Sequence, residues 1–179
     1  MTEGILPTPT ERDTKYDALL THGYWLSKDN GPHNIDGFRG SLRTRLSTRA
    51  AADLYFAEGP MNLVFTGGKL KGPDYPATSK LAREELVFKY GVPPEHVITT
   101  ETGFDTETES QTFEALAKEH DWTNIGVLSF EQHKPSVQRF SSKIIMPNQP
   151  TTVEHRTVED VLEKYDDPLV SALAQRLKW

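Results

Sequence analysis

Short apolar runs alternate with longer amphipathic stretches through most of this chain, and the alternation predicts a doubly wound, three-layer α/β fold. Three observations carry that reading. The apolar runs are continuous rather than alternating with polar residues, as in parallel strands covered on both faces. Glycine or proline punctuates nearly every boundary between them. A length of 179 residues suits one domain with one core. The expected sheet is mostly parallel, with about five strands and helices on both faces.

The elements follow in order. Residues 1–14 are polar, with Pro7 and Pro9, and read as a flexible arm ahead of a single domain over 15–179. Ala18, Leu19 and Leu20 in "YDALLTHG" mark a first strand ending at Gly23. The next stretch, "YWLSKDNGPHNIDGFRGS", is rich in glycine and asparagine and reads as a long irregular loop. Leu46, Ala50, Leu54 and Ala57 share one helical face, and Gly59-Pro60 should stop that helix. "MNLVFTGG" is a second strand, and Ala77 to Tyr90 a helix closed by Gly91. "EHVITT" is a third strand. Phe113, Leu116, Ala117 and His120 define the helix after it. "NIGVLSF" is the fourth strand, "HKPSVQRFSSKI" a helix with Pro135 in its first turn, and "TTVEH" the fifth strand. Two amphipathic helices split by Pro168 end the chain, and Leu177 with Trp179 offers a homodimer contact.

Composition narrows the class. Apolar content of 36% with 26% charged residues is ordinary for a globular domain, and no segment approaches the ~20 apolar residues of a membrane span. The first residues lack a basic start followed by an apolar run, so a cytoplasmic setting is expected. A net charge of −6 argues against a nucleic-acid partner. Without cysteine there are no disulfides, no thiolate metal sites and no cysteine nucleophile. Arg39, Arg43, Arg45 and Arg49 nevertheless cluster in "FRGSLRTRLSTR", a pattern that reads either as an anion-binding face or as a solvated one.

Ligands of such sheets bind beyond the carboxyl ends of the strands. The polar residues there are His22 and Gly23 after the first strand; Thr66, Gly67, Gly68 and Lys69 after the second; Glu101 through Thr108, with Asp105 and Thr106, after the third; and Ser129, Glu131, Gln132 and His133 after the fourth. A glycine pair before a helix reads as a turn presenting backbone N–H groups to an anion, or as a tight turn alone. His133 stands at a strand end just before a helix, where the ring is kept neutral for acid–base work. Arg139, six residues on, reaches the same anion or lies on the helix surface. Walker, G-x-G-x-x-G, G-x-S-x-G and H-E-x-x-H patterns are absent, so ordinary nucleotide, hydrolase-triad and metal readings are weak.

Five fragments in order, "LSTRAAADLYFAEG", "LVFTGG", "KYGVPPEHVITTE", "DTETES" and "VLSFEQHKPSVQR", resemble the YdcF-like family that includes SanA and ElyC, a domain of unknown function. The resemblance implies a Rossmann-like sheet with a site built from those motifs. Gly67 and Gly68 match the glycine turn, and His133 with Pro135 the H-x-P element. Arg49 matches the helix arginine, with Arg45 as its competitor. Thr106 matches the threonine that follows an asparagine, replaced here by Asp105; the other register uses Thr108 and Gln111. Two departures stand out: Thr78-Ser79 where the family commonly has glutamate, and Thr108-Glu109 in place of a second acidic/asparagine pair. The family's soluble branch is associated with S-adenosylmethionine or a similar nucleotide-like molecule.

Together these readings give a protein that binds an anionic, phosphate-containing or nucleotide-like small molecule, with His133 as the catalytic candidate. The ligand-binding candidates are Gly67, Gly68, Lys69, Arg45, Arg49, Asp105, Thr106, Ser129 and Arg139. The protein is either a hydrolase or transferase or a non-catalytic binding or sensing module, and no metal is expected.

Overall fold

A computed structural model describes residues 14–28, 35–144 and 150–165, with 168, 170, 172 and 176 of the tail. Five parallel strands form its sheet: β1 (Ala18–Thr21), β4 (Asn62–Gly67), β5 (Val97–Gly103), β6 (Asn124–Ser129) and β7 (Thr152–Thr157). Their spatial order is β5-β4-β1-β6-β7. The chain builds outward from β1 in one direction, then crosses back to build in the other, so strand order reverses between β1 and β6. This is a Rossmann-like doubly wound fold.

Successive residues of β1 face opposite layers, which is why its apolar run is unbroken. Leu19 belongs, with Leu63 and Phe65, to a core under α1 (Leu42–Glu58), α2 (Thr78–Glu84) and α5 (Val158–Tyr165). Leu20 belongs, with Val64 and Val127, to a second core under α3 (Thr106–Glu119) and α4 (Lys134–Ser141). Phe113 and Ala117 carry α3 into that core and Val137 carries α4.

Three expectations need correcting. The stretch after Gly23 is not wholly irregular: β2 (Leu26–Lys28) and β3 (Phe38–Gly40) pair antiparallel, Ser27 opposite Arg39. Three-residue strands are too short for hydrophobic periodicity to reveal. Helix α1 starts before its first apolar stripe residue because Ser41 caps it, accepting from the Thr44 N–H at 3.4 Å. The helix expected over 77–90 is α only to Glu84 and then makes one π turn, Glu85–Lys89, in which Tyr90 N–H donates to the Glu85 carbonyl at 3.1 Å. Most of the arm, and Leu169, Leu173, Leu177 and Trp179 of the tail, lie outside the described residues. Among those that are described, no helix is long and apolar enough to cross a membrane.

At the amino ends of the strands, Asp17 ties three of them. Its Oδ2 accepts from the N–H groups of Thr123 and Asn124, both at 2.8 Å. Its carbonyl accepts from Asn62 through backbone N–H (3.1 Å) and side-chain amide (2.9 Å). Hydrogen bonds to a charged group contribute about 1.5–3 kcal/mol. Asp17→Ala should therefore lower unfolding free energy by about 2 kcal/mol in urea denaturation, and an unchanged midpoint would refute that role.

Candidate functional site

Beyond the C-terminal ends of the strands, at the reversal of strand order between β1 and β6, lies a cleft of about 110 Å³. His22 lies one residue past β1, buried with 4% of its surface exposed. Glu109, 5% exposed, projects from α3 and its Oε2 is hydrogen-bonded to His22 Nδ1. A carboxylate can only accept, so Nδ1 carries the hydrogen of this bond, and Nε2 is the ring nitrogen left for another partner. Nε2 is shielded from solvent and has no hydrogen-bond partner among the described residues. Both residues line the cleft.

Glycines make this pairing possible. Gly67 and Gly103 are partners across β4 and β5. A Cβ on Gly103 would lie 2.4 Å from Glu109 Cγ and 2.5 Å from the Thr66 carbonyl oxygen. One on Gly67 would lie 2.1 Å from Thr78 Oγ1 and 3.5 Å from Glu109 Oε1. The neighbouring Gly68 uses its N–H on the Gly103 carbonyl at 2.6 Å, while its own carbonyl accepts from Leu70 and Thr78, both at 3.1 Å. Neither Gly67 nor Gly68 has positive φ. The Gly68 N–H is thus directed into the protein rather than at a ligand, and what the pair supplies is space, at Gly67 for the Thr78 and Glu109 side chains and at Gly68 for the Glu101 and Gly103 carbonyls.

His133 closes a 3₁₀ turn (Glu131–His133) and stands at the head of α4, half-buried on the cleft. Its ring tilts against that of Tyr24, 5.2 Å between centroids. Burial first, then the Arg43 charge and the neighbouring His22 ring, push its pKa below the ordinary histidine value. Arg43, in the first turn of α1, lies over the Phe130 ring at 5.9 Å and meets the Gln132 side-chain amide. The Tyr24 oxygen accepts from the Phe130 N–H at 3.3 Å, and burial raises its phenol pKa. Arg43 is therefore the arginine of the sequence cluster that acts on His133.

The other candidates divide. Asp105 and Thr106 line the cleft with His133. The Asp105 carboxylate caps α3, accepting from Thr108 N and Oγ1, both at 2.8 Å, so Thr108 belongs to a capping box. Gln111, the other half of the alternative register, is exposed. Arg45 and Arg49 line a different groove with Lys89 and Tyr90. Arg45 approaches Glu85 at 3.7 Å, and Arg49 bonds Asp53 at 3.2 Å and stacks over Tyr90. Lys69 donates to the Pro73 carbonyl at 3.0 Å. Ser129 is buried at the end of β6 opposite Thr157, and Arg139 is exposed beside the Phe140 ring. None of Arg45, Arg49, Lys69, Ser129 and Arg139 lines the cleft. Among the described residues, no three His, Asp or Glu side chains are grouped as a metal site requires.

Glu109 was absent from the sequence-derived candidates, although a signal existed: it falls four residues before Phe113, an acid on the buried stripe of an amphipathic helix. No family model, curated protein or solved structure matches this chain. Fold and site define it as a doubly wound α/β protein with a buried carboxylate–imidazole pair at the point where strand order reverses.

Gly103→Ala should displace Glu109 and cost about 1–3 kcal/mol through overpacking; loss of the protected His22 Nδ1–H signal in proton NMR is expected, and its persistence would refute the steric role. His133 should titrate below 6.5, with a midpoint that rises in Arg43→Gln. A folded-state pKa below the unfolded one makes the His133 contribution to stability complete above pH 6.5 and lost as pH falls through the folded value. An NMR midpoint at or above the unfolded one would reverse that sign.

Proposed function

We propose that the cleft is the active site of a hydrolase or transferase acting on a small phosphate-bearing molecule. The observation that carries this reading is the buried Glu109–His22 pair, which leaves His22 Nε2 without a protein partner beside a cleft shared with His133. His22 takes the proton from the attacking hydroxyl or water, and Glu109 stabilises the imidazolium as it forms. His133 serves the leaving group, because burial and Arg43 make its protonated form a stronger acid. Arg43, whose charge acts on His133, favours negative charge on the substrate, while the amino end of α3 is already capped by the Asp105 carboxylate.

Ligand pockets commonly measure about 300–1,000 Å³, well above the 110 Å³ here. A terminal phosphoryl-sized group enters, and the rest of a nucleotide-like molecule lies outside on the rim; S-adenosylmethionine, which has no phosphate, would enter by its carboxylate. Membership of the YdcF-like family is part of the same proposal and rests on the order of the five fragments. Its two departures meet at one place: Thr78 Oγ1 and Glu109 Oε1 both face Gly67. The carboxylate missing at Thr78-Ser79 is supplied from α3.

The test is phosphomonoester turnover alongside thermal-shift binding of inorganic phosphate. General acid–base groups contribute about 10²–10⁴-fold, so His22→Ala should lose at least about a hundredfold in turnover while still binding phosphate. Phosphate binding without turnover by the native protein would favour a sensing module. Neither binding nor turnover would overturn the phosphate reading.

A further inference from the structure

Phe104 is 61% exposed, as few large apolar side chains are among the described residues, and it lines the cleft with Leu70. Trp25, Phe56 and Phe88 are comparably exposed but do not line the cleft. The ring of Phe104 lies against Gly68: a Cβ there would come 3.1 Å from its Cε1. Its backbone is held from both sides, Phe104 N–H donating to Thr108 Oγ1 at 3.0 Å and the preceding Gly103 carbonyl accepting from Gly68 at 2.6 Å. Leu70 N–H is likewise fixed on the Gly68 carbonyl. An aromatic ring that is wet on one face yet carried on an ordered backbone loses little freedom when a flat group settles on it.

The cleft below admits only a small group, so whatever is attached to that group must leave past Phe104 and Leu70. We infer that Phe104 is a specificity-determining residue and that the substrate carries an aromatic or heteroaromatic ring, which stacks on Phe104 while its phosphate enters the cleft. The inference rests on the phosphate reading above. It adds what that reading leaves open, the chemical class of the remainder of the substrate. Phe104 takes no part in bond making, and its effect falls on affinity rather than on the chemical step.

Phosphonates test this without a leaving group to confuse affinity with reactivity. Binding of methylphosphonate, cyclohexylphosphonate and phenylphosphonate is measured calorimetrically on the native protein and on the Phe104→Ala and Phe104→Leu variants. Expected is about three- to tenfold tighter binding of phenylphosphonate than of cyclohexylphosphonate, the range for an aromatic pair. That preference should vanish in both variants while methylphosphonate binding stays unchanged. A phenyl preference that survives Phe104→Ala, or none in the native protein despite methylphosphonate binding, overturns the role of Phe104 and leaves the phosphate reading standing. If no phosphonate binds, both fall together.

Discussion

Everything at the cleft depends on the absence of two Cβ atoms. Gly67 and Gly103 face each other across β4 and β5, and the volume they leave is taken by the Glu109 side chain and the Thr78 hydroxyl. A carboxylate buried to this degree is costly unless it is paired and hydrogen-bonded. His22 provides that partner, and because β1 ends just before it, the imidazole is fixed by the central strand of the sheet. Glycine, acid and histidine therefore come from three different strand–helix units, and the parallel topology is what brings them to one edge.

The same geometry explains how far the sequence could be read. Strand and helix alternation was legible because the fold is local in its patterning: each β-α unit carries its own periodicity. The position of the cleft followed from the rule about strand ends, and His133, Asp105 and Thr106 are found there. Which side chains face one another was not legible. Glu109 is 87 residues from His22, and no local pattern encodes that pairing. The glycine pair was noticed for its backbone, whereas its contribution is steric and appears only when the facing element is known.

Arginines illustrate the limit most sharply. Arg43, Arg45 and Arg49 lie within two turns of α1, yet a helix rotates about 100° per residue and sends them to different sides. Arg43 reaches Phe130 and Gln132 beside His133, while Arg45 and Arg49 meet Glu85, Asp53 and Tyr90 in another groove. A cluster in sequence was two populations in space. Charge counting along the chain could not separate them, because the division is set by where β3 delivers the start of α1 and by the Ser41 cap that fixes its phase.

The π turn at Glu85–Lys89 has a meaning beyond its local hydrogen bonds. Such a turn holds one residue more than an α-helical ladder needs, and it behaves as a single-residue insertion that the helix absorbed without breaking. The helix ends on that turn, where the Tyr90 N–H closes on Glu85 at 3.1 Å and the Val92 N–H on Leu86 at 2.9 Å. Any related chain with an uninterrupted helix here would be one residue shorter between Ser79 and Gly91. A gap placed in that segment, rather than in the flanking loops, would keep the strands on both sides in register.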